Sequence, residues 1–379
     1  MPIYFDHAAT TRVLPEAAAA ALHAMTEEFG NPSSRHALGL EAASALAAHR
    51  ATIANALGDA DGQLLFTSGG TESNNWAISI MEQLGHRRGK HIITTALEHA
   101  AVLEPMKRLE QQGYEVTYLE PSQDGRISPQ QVEDALRPDT IIVSMMLVNN
   151  ETGVLLPVAE VSKLLKAKQS AALLHTDAVQ GFLKIPFSAR DLGADFISIS
   201  AHKIGGPKGC GGLYVRKGIK ASPLLLGGGQ EQGLRSGTEG TALIAAFAAA
   251  ATIGRERQTP RRDYLLSLKD YALSTLSAAL PRLVVVSPGD APHICAISMP
   301  GYPSEMLVRD LSDRGIYVSS GSACHKGKPS HVFGAMKLPN RVSMGVLRIS
   351  FAEENTREDV DALVEALTAI SKERVPMKG

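Results

Sequence analysis

Cysteine is scarce: 379 residues contain only Cys210, Cys295 and Cys324. The number is odd, and no spacing forms a disulfide framework or a Cys-x-x-Cys metal site. That excludes a disulfide-stapled secreted scaffold and makes a reducing, cytoplasmic setting the expectation. An excess of charge is lacking as well. Thirty-eight basic side chains face thirty-nine acidic ones, a formal charge of −1, so there is no electrostatic footprint for nucleic acid or an anionic membrane. The longest apolar run, Ala242 to Ile253, is Ala-rich. At about half a bilayer span it reads as a buried helix. The start, MPIYFDHAATTR, has neither the basic end nor the apolar stretch of a signal peptide, and export is not expected. Neither GxxxxGKS/T nor GxGxxG occurs, so any phosphate bound is not expected to be that of a nucleotide. Without HExxH or a cysteine partner, no metal site is expected, although His175 and Asp177 share one strand face.

What is present is a chain too long for one core, with ordinary composition: 44% hydrophobic and 20% charged. From about residue 38 helical and short apolar segments alternate. Ala37–Leu57 has helical spacing and stops at Gly58. Strands are expected at 64–67, 91–95, 115–119, 141–148, 171–176, 195–200 and 211–215, with helices between most of them. That alternation predicts an α/β fold, a mostly parallel seven-stranded sheet covered on both faces. The polar segment RERQTPRR, 255–262, marks a domain boundary. Beyond it a smaller α+β domain is expected, with strands at 283–286, 293–299 and 316–319, a further apolar strand VLRISF around Arg348, and a last helix to about Ser371.

Several residues in this frame could carry chemistry. LLFTSGGTESNNW, 64–76, is strand, glycine turn, helix. It is either a phosphate cradle of backbone N–H groups or a tight connection capped by Thr71. LLHTDAVQ brings Asp177 to a strand end, and FISISAHKIGGPKG brings His202 and Lys203 to another. A lysine behind apolar residues is partly desolvated, which lowers its pKa and suits it to condense with an aldehyde. A capping Asp177 and a snorkelling Lys203 are the plainer alternatives. Together, though, a lysine, an acid and a phosphate cradle are what a pyridoxal cofactor needs. His99 opens a helix at the same edge, as a cap or as a site residue. Arg348, inside its apolar strand, must meet a carboxylate of the protein or of a substrate. Asn149-Asn150 is a turn or a substrate contact. Cys210 and Cys295 lie in apolar segments and read as core residues. Cys324 stands among serine, glycine and alanine, followed by His325, Lys326 and Lys328. A thiol of pKa ~8.5 is only about a tenth ionised near neutrality, and nearby cations raise that fraction.

Assembled, these blocks resemble the NifS/IscS-like cysteine desulfurases, fold-type I pyridoxal-phosphate enzymes, in the class with a long SSGSAC loop. The matching segments are YFDHAATT at 4–11, GNPSSRHALG at 30–39, FTSGGTESNN at 66–75, EHAAVL at 98–103, VNNETG at 148–153, HTDAVQ at 175–180, SAHKIGGPKG at 200–209, GGGQEQGLRSGT at 227–238 and SSGSAC at 319–324. The resemblance implies that Lys203 binds the cofactor aldehyde. Asp177 then keeps the pyridine nitrogen protonated, Gln180 meets the ring hydroxyl and His99 stacks on the ring. Gly70, Thr71, Ser200 and His202 hold the phosphate, with Thr238 reaching in from the second subunit of a homodimer. Asn150 and Arg348 hold the carboxylate of L-cysteine, and Cys324 takes its sulfur as a persulfide for an acceptor protein. The resemblance implies sulfur supply to iron–sulfur assembly, another thio-cofactor or tRNA thiolation, without naming the acceptor. The implied division is a large domain at 16–258 and a small one made of 1–15 and 259–379. Two departures bear on the acceptor, the basic HKGKPSHVFGAM after Cys324 and a C-terminus that stops soon after the last helix; Gln232, where many relatives carry arginine, is a minor one. Rival readings are selenocysteine lysis, another lyase or aminotransferase on this fold, and an inactive sulfur-trafficking scaffold. Intact Lys203, Asp177, His99 and Cys324 argue against the last.

Overall fold

The computed structural model describes residues 2–320 and 330–376. Cys324 and its loop therefore lie outside the described residues.

The chain starts with a short strand, β1 (Ile3–Tyr4), and a helix, Pro15–Thr26, that the sequence reading did not anticipate. After the helix Ala37–Ala56 come β2 (Gln63–Thr67), β3 (His91–Thr95), β4 (Glu115–Leu119), β5 (Thr140–Ser144), β6 (Leu173–Asp177), β7 (Phe196–Ser200) and β8 (Gly211–Val215). They form one sheet in the order β2-β8-β7-β6-β5-β3-β4, in which only β8 runs antiparallel to its neighbours. β3, β5 and β7 are buried at every position, as interior parallel strands should be. β4, whose EVTYL carries more polar character, takes an edge.

Alternation along the strands sends side chains to two cores. Leu65, Ile92, Phe196 and Leu213 pack with Trp76, Met81, Val102 and Met106 on one face. Leu64, Phe66, Ile93, Val143, Ile197 and Tyr214 pack with Ala17, Leu46, Ile53 and Phe247 on the other. The result is a sheet between helical layers, with the carboxyl ends of its parallel strands along one rim. The expected strand 141–148 is shorter: regular pairing stops at Ser144, although Met145 N and Leu147 N still donate to His175 O and Asp177 O.

Past the helix Thr241–Glu256, the RERQTPRR segment is no loop. It holds a break at Arg257 between two successive helices, and Pro260 sits in the first turn of the second, Gln258–Ala279, where its missing N–H does no harm. β9 (Val284–Ser287), β10 (Ile294–Ser298) and β12 (Val346–Ser350) make an antiparallel sheet with β10 central, while β11 (Ile316–Tyr317) pairs in parallel with β1. Leu265, Leu276, Leu307, Leu311, Leu363 and Leu367 cover this part, and Phe5 packs among them. The first residues of the chain thus lie in the second core. We propose the division at 16–258 against 1–15 plus 259–379 on that ground. Among the described residues no helix is long and apolar enough to cross a membrane.

Candidate active site

A cavity of about 410 Å³ opens along the carboxyl rim of the large sheet. Each wall comes from the end of an element.

The turn after β2 supplies the first. Gly69 has φ +149° and caps the helix Gly70–Gly85 with no side chain, so the first N–H groups of that helix have no intrahelical acceptor. Thr71 does not cap it. The glycines are required by space: a Cβ on Gly70 would stand 2.7 Å from Val179 Cγ2, and one on Gly211 would stand 2.6 Å from Gly69 Cα. The Ser200 hydroxyl, which a Cβ on Gly69 would face at 4.0 Å, is buried without a hydrogen-bond partner. Open helix-end donors, a bare turn and an unpartnered hydroxyl make a cradle for a phosphate.

β6 delivers the acid. Asp177, 7% exposed, accepts hydrogen bonds from Asn74 Nδ2 at 2.6 Å and from Val179 N at 3.0 Å. Both donors are neutral, so no protein cation pairs with the carboxylate through these bonds. Asn74 had no role in the sequence reading. The signal was available, since it follows Gly70 by four residues and so shares a helix face with it. His175, on the same strand face, is taken out of any metal role. Ser144 Oγ and Ser198 Oγ engage its two ring nitrogens at 2.8 and 3.1 Å, and burial lowers its pKa to about 3.

β7 runs into a short turn that carries His202 and Lys203. Desolvation, then repulsion from Arg348, lowers the Lys203 pKa to about 8. Its ammonium donates to the carbonyl oxygens of Ala8 and Ala9, 2.8 Å to the latter. Snorkelling is therefore the wrong description, because the amine turns inward. His202, lowered to about 4 by burial and then by Lys203, has Nδ1 3.3 Å from Thr10 Oγ1. Gln180 donates to Ala8 O at 2.8 Å. His99 caps the helix Ala100–Gln111, its Nδ1 accepting from Ala101 N at 3.1 Å, and still lines the cavity. Capping the helix does not keep the ring from lining the cavity.

The asparagine pair divides. Asn149 is buried in its own turn, donating to Leu97 O and accepting from the N–H groups of Glu151 and Thr152. Asn150 lines the cavity. Arg348 on β12 lines it too, held by Asp6 Oδ1 at 2.7 Å and Asn150 O at 2.9 Å, with Nε buried and unpartnered. The carboxylate expected of Arg348 is therefore one of the protein's own. Asp6 went unassigned because the pair spans the chain; no local spacing announces it.

Two assigned residues stand apart. Thr238 is exposed and does not line the cavity, so one chain alone does not bring it to the phosphate cradle. Cys324 lies outside the described residues. The other thiols are inert. Cys210, just before β8 rather than within it, and Cys295 in β10 are both buried, and burial pushes each up to about 12.

The profile of the aminotransferase class-V family matches residues 3–363. The chain belongs to that family. A cysteine desulfurase IscS from Clostridium botulinum is 37% identical over 99% of this chain and 96% of its own length. A cysteine desulfurase IscS from Methanosarcina thermophila is 40% identical, over 97% and 91%. Among solved structures, a NifS-like protein superposes with a TM-score of 0.93 at 37% identity, over 99% of this chain and 100% of that one. The chain described as SspA in complex with cysteine superposes at 0.78 with 32% identity, over 93% and 100%. Within the class-V aminotransferases, this chain thus groups with the cysteine desulfurases, on an α/β fold of the type I pyridoxal-phosphate enzymes.

Proposed function

We propose that the chain is a cysteine desulfurase that converts L-cysteine to L-alanine and carries the sulfur away on Cys324. One observation carries most of this reading: a desolvated Lys203, a hydrogen-bonded Asp177 and an open phosphate cradle line a single cavity.

The residues fit pyridoxal 5'-phosphate. The glycine turn and the orphaned Ser200 hydroxyl would hold its phosphate with Thr71 and His202, Asp177 its pyridine nitrogen, Gln180 its ring hydroxyl, His99 its ring face and Lys203 its aldehyde. When bound, the cofactor supplies an electron-poor ring that accepts the electron pair released at the substrate Cα. The side chains do the rest. Lys203, with a pKa near 8, carries the Cα proton between positions. Asp177 keeps a proton on the ring nitrogen. Arg348 and Asn150 hold the carboxylate of cysteine, so that Arg348 trades Asp6 for substrate or binds both. The Cys324 thiolate attacks the substrate sulfur: an S–S bond forms as the Cβ–S bond breaks, and the electron pair leaves with Cβ. Protonation of Cβ completes alanine, and the persulfide stays on Cys324.

Cys210 and Cys295 are sealed and protonated, which leaves Cys324 to do this. The basic residues after it favour its thiolate. Thr238, exposed within one chain, fits a contact to the phosphate of a second copy, and we propose a homodimer with composite sites. The acceptor of the sulfur is a protein of iron–sulfur assembly or tRNA thiolation, and the setting is the cytoplasm. Incubation with L-cysteine and a reductant should yield alanine and sulfide in equal amounts. Sulfide release that persists in Cys324→Ser would overturn the assignment in favour of selenocysteine lysis or another β-elimination.

A further inference from the structure

Lys203 also borders a second cavity, of about 70 Å³, whose walls include His7, Lys184, His293, Arg261 and Glu354. Its buried polar side chains are two imidazoles and an amine, with no buried carboxylate among the described lining. His7 is 1% exposed and neither ring nitrogen makes a well-aligned hydrogen bond, although the Tyr4 backbone and the Asn355 side chain lie close enough to favour its protonated form; His293 is 0% exposed and its Nδ1 has no partner. Lys184, 8% exposed, has no hydrogen-bond partner among the described residues. The nearby acids are committed or solvated. Glu353 is paired with Arg261 at 3.0 Å, and Glu354, 53% exposed, comes no nearer to His7 Nδ1 than 3.9 Å. Arg12 adds a further cation to the lining, and Leu14, Ile204, Leu265 and Phe351 add apolar walls around a volume too small for a large hydrated ion.

A buried ammonium beside poorly partnered imidazoles is costly as it stands, because desolvated donors need an acceptor. In its absence, burial and then the charge of Lys203 push the ammonium of Lys184 well below its ordinary pKa, while burial and then Lys184 depress both histidines. A cation would worsen this, and water satisfies donors without balancing charge. The space suits one small ion or a few waters.

We propose that this cavity binds one small monovalent anion of the halide class, held by Lys184 with His7 and His293. Through the shared wall the ion favours the protonated form of Lys203.

Crystals of the cofactor-loaded enzyme grown with bromide as the only halide should show an anomalous peak inside the cavity, at hydrogen-bond distance from Lys184 Nζ. Water alone in the cavity, or bromide only on the outer surface, overturns the proposal. In solution, exchanging gluconate for chloride at constant ionic strength should raise the Tm of the wild type and leave that of Lys184→Met unmoved. His293→Leu should weaken the halide dependence about tenfold. An equal chloride response in Lys184→Met also overturns the proposal. If that variant does not fold, the bromide map of the wild type decides by itself.

Discussion

The middle of the large sheet and its carboxyl rim use the same residue types to opposite ends. In the middle, His175 has a hydroxyl on each ring nitrogen and is sealed. At the rim the Ser200 hydroxyl, at the end of β7, is buried without a partner, as is the Nε of Arg348 on β12 across the cavity, and Lys203 is held only by backbone carbonyls. Folded proteins rarely leave buried polar groups unmatched. Where such groups line a cavity, as Ser200 and Arg348 do here, something else can complete the bonding, whereas a fully satisfied histidine marks structure.

Substitutions should separate the two regions. The largest effect is expected at Lys203. Borohydride treatment of the wild type should fix cofactor to the peptide containing Lys203, and Lys203→Ala should lose that label and slow turnover by at least about 10²–10⁴-fold. A label on Lys208 or Lys217 instead would break the assignment. Next come the thiols. Cys324→Ser should keep the yellow bound cofactor and release almost no sulfide. Cys210→Ala and Cys295→Ala should keep most activity and cost of order 1 kcal/mol of stability each, read from denaturant midpoints. Full activity loss in Cys295→Ala without unfolding would contradict the division between sealed and reactive thiols.

Arg348→Ala should raise the KM for cysteine about ten- to a hundredfold, the loss of one charged hydrogen-bonded contact of roughly 1.5–3 kcal/mol. The colour of the resting enzyme should not change. An unaltered KM would return Arg348 to a purely structural pair with Asp6.

The smallest effect is a slope in acid. His7, His175 and His202 titrate near 4, 3 and 4 in the folded chain, because burial disfavours their charged forms. The unfolded chain takes up those protons at about 6.5. It therefore binds more protons than the folded one as pH falls from about 6.5 towards 4, and stability is lost in that window. Glu98, raised to about 8 by burial, opposes this, since the folded state holds its proton while the unfolded carboxyl, near 4.3, does not. Three histidines outweigh one carboxyl, so Tm should decline from pH 6.5 to 4.5. A rising profile would mean that Glu98 dominates.

Much of this was legible in the chain itself. Apolar runs of strand length, punctuated by glycine turns, specify the parallel sheet because interior strands must be buried on both faces. Asp177 and Lys203 each terminate such a run, so their place at the rim follows from the strand that carries them. Other features had no local signature. Asn149 and Asn150 are chemically equivalent neighbours until the turn buries one and exposes the other. Arg348 meets Asp6 only because the first residues of the chain return to the second core. Asn74 joins Asp177 across the stack of helix on sheet. Sequence alone determined which groups could ionise, donate or attack, since those properties travel with each residue and its near neighbours. Only the tertiary structure decided which of them were left unpaired, because satisfaction of a buried polar group depends on what long-range packing places within about 3 Å of it.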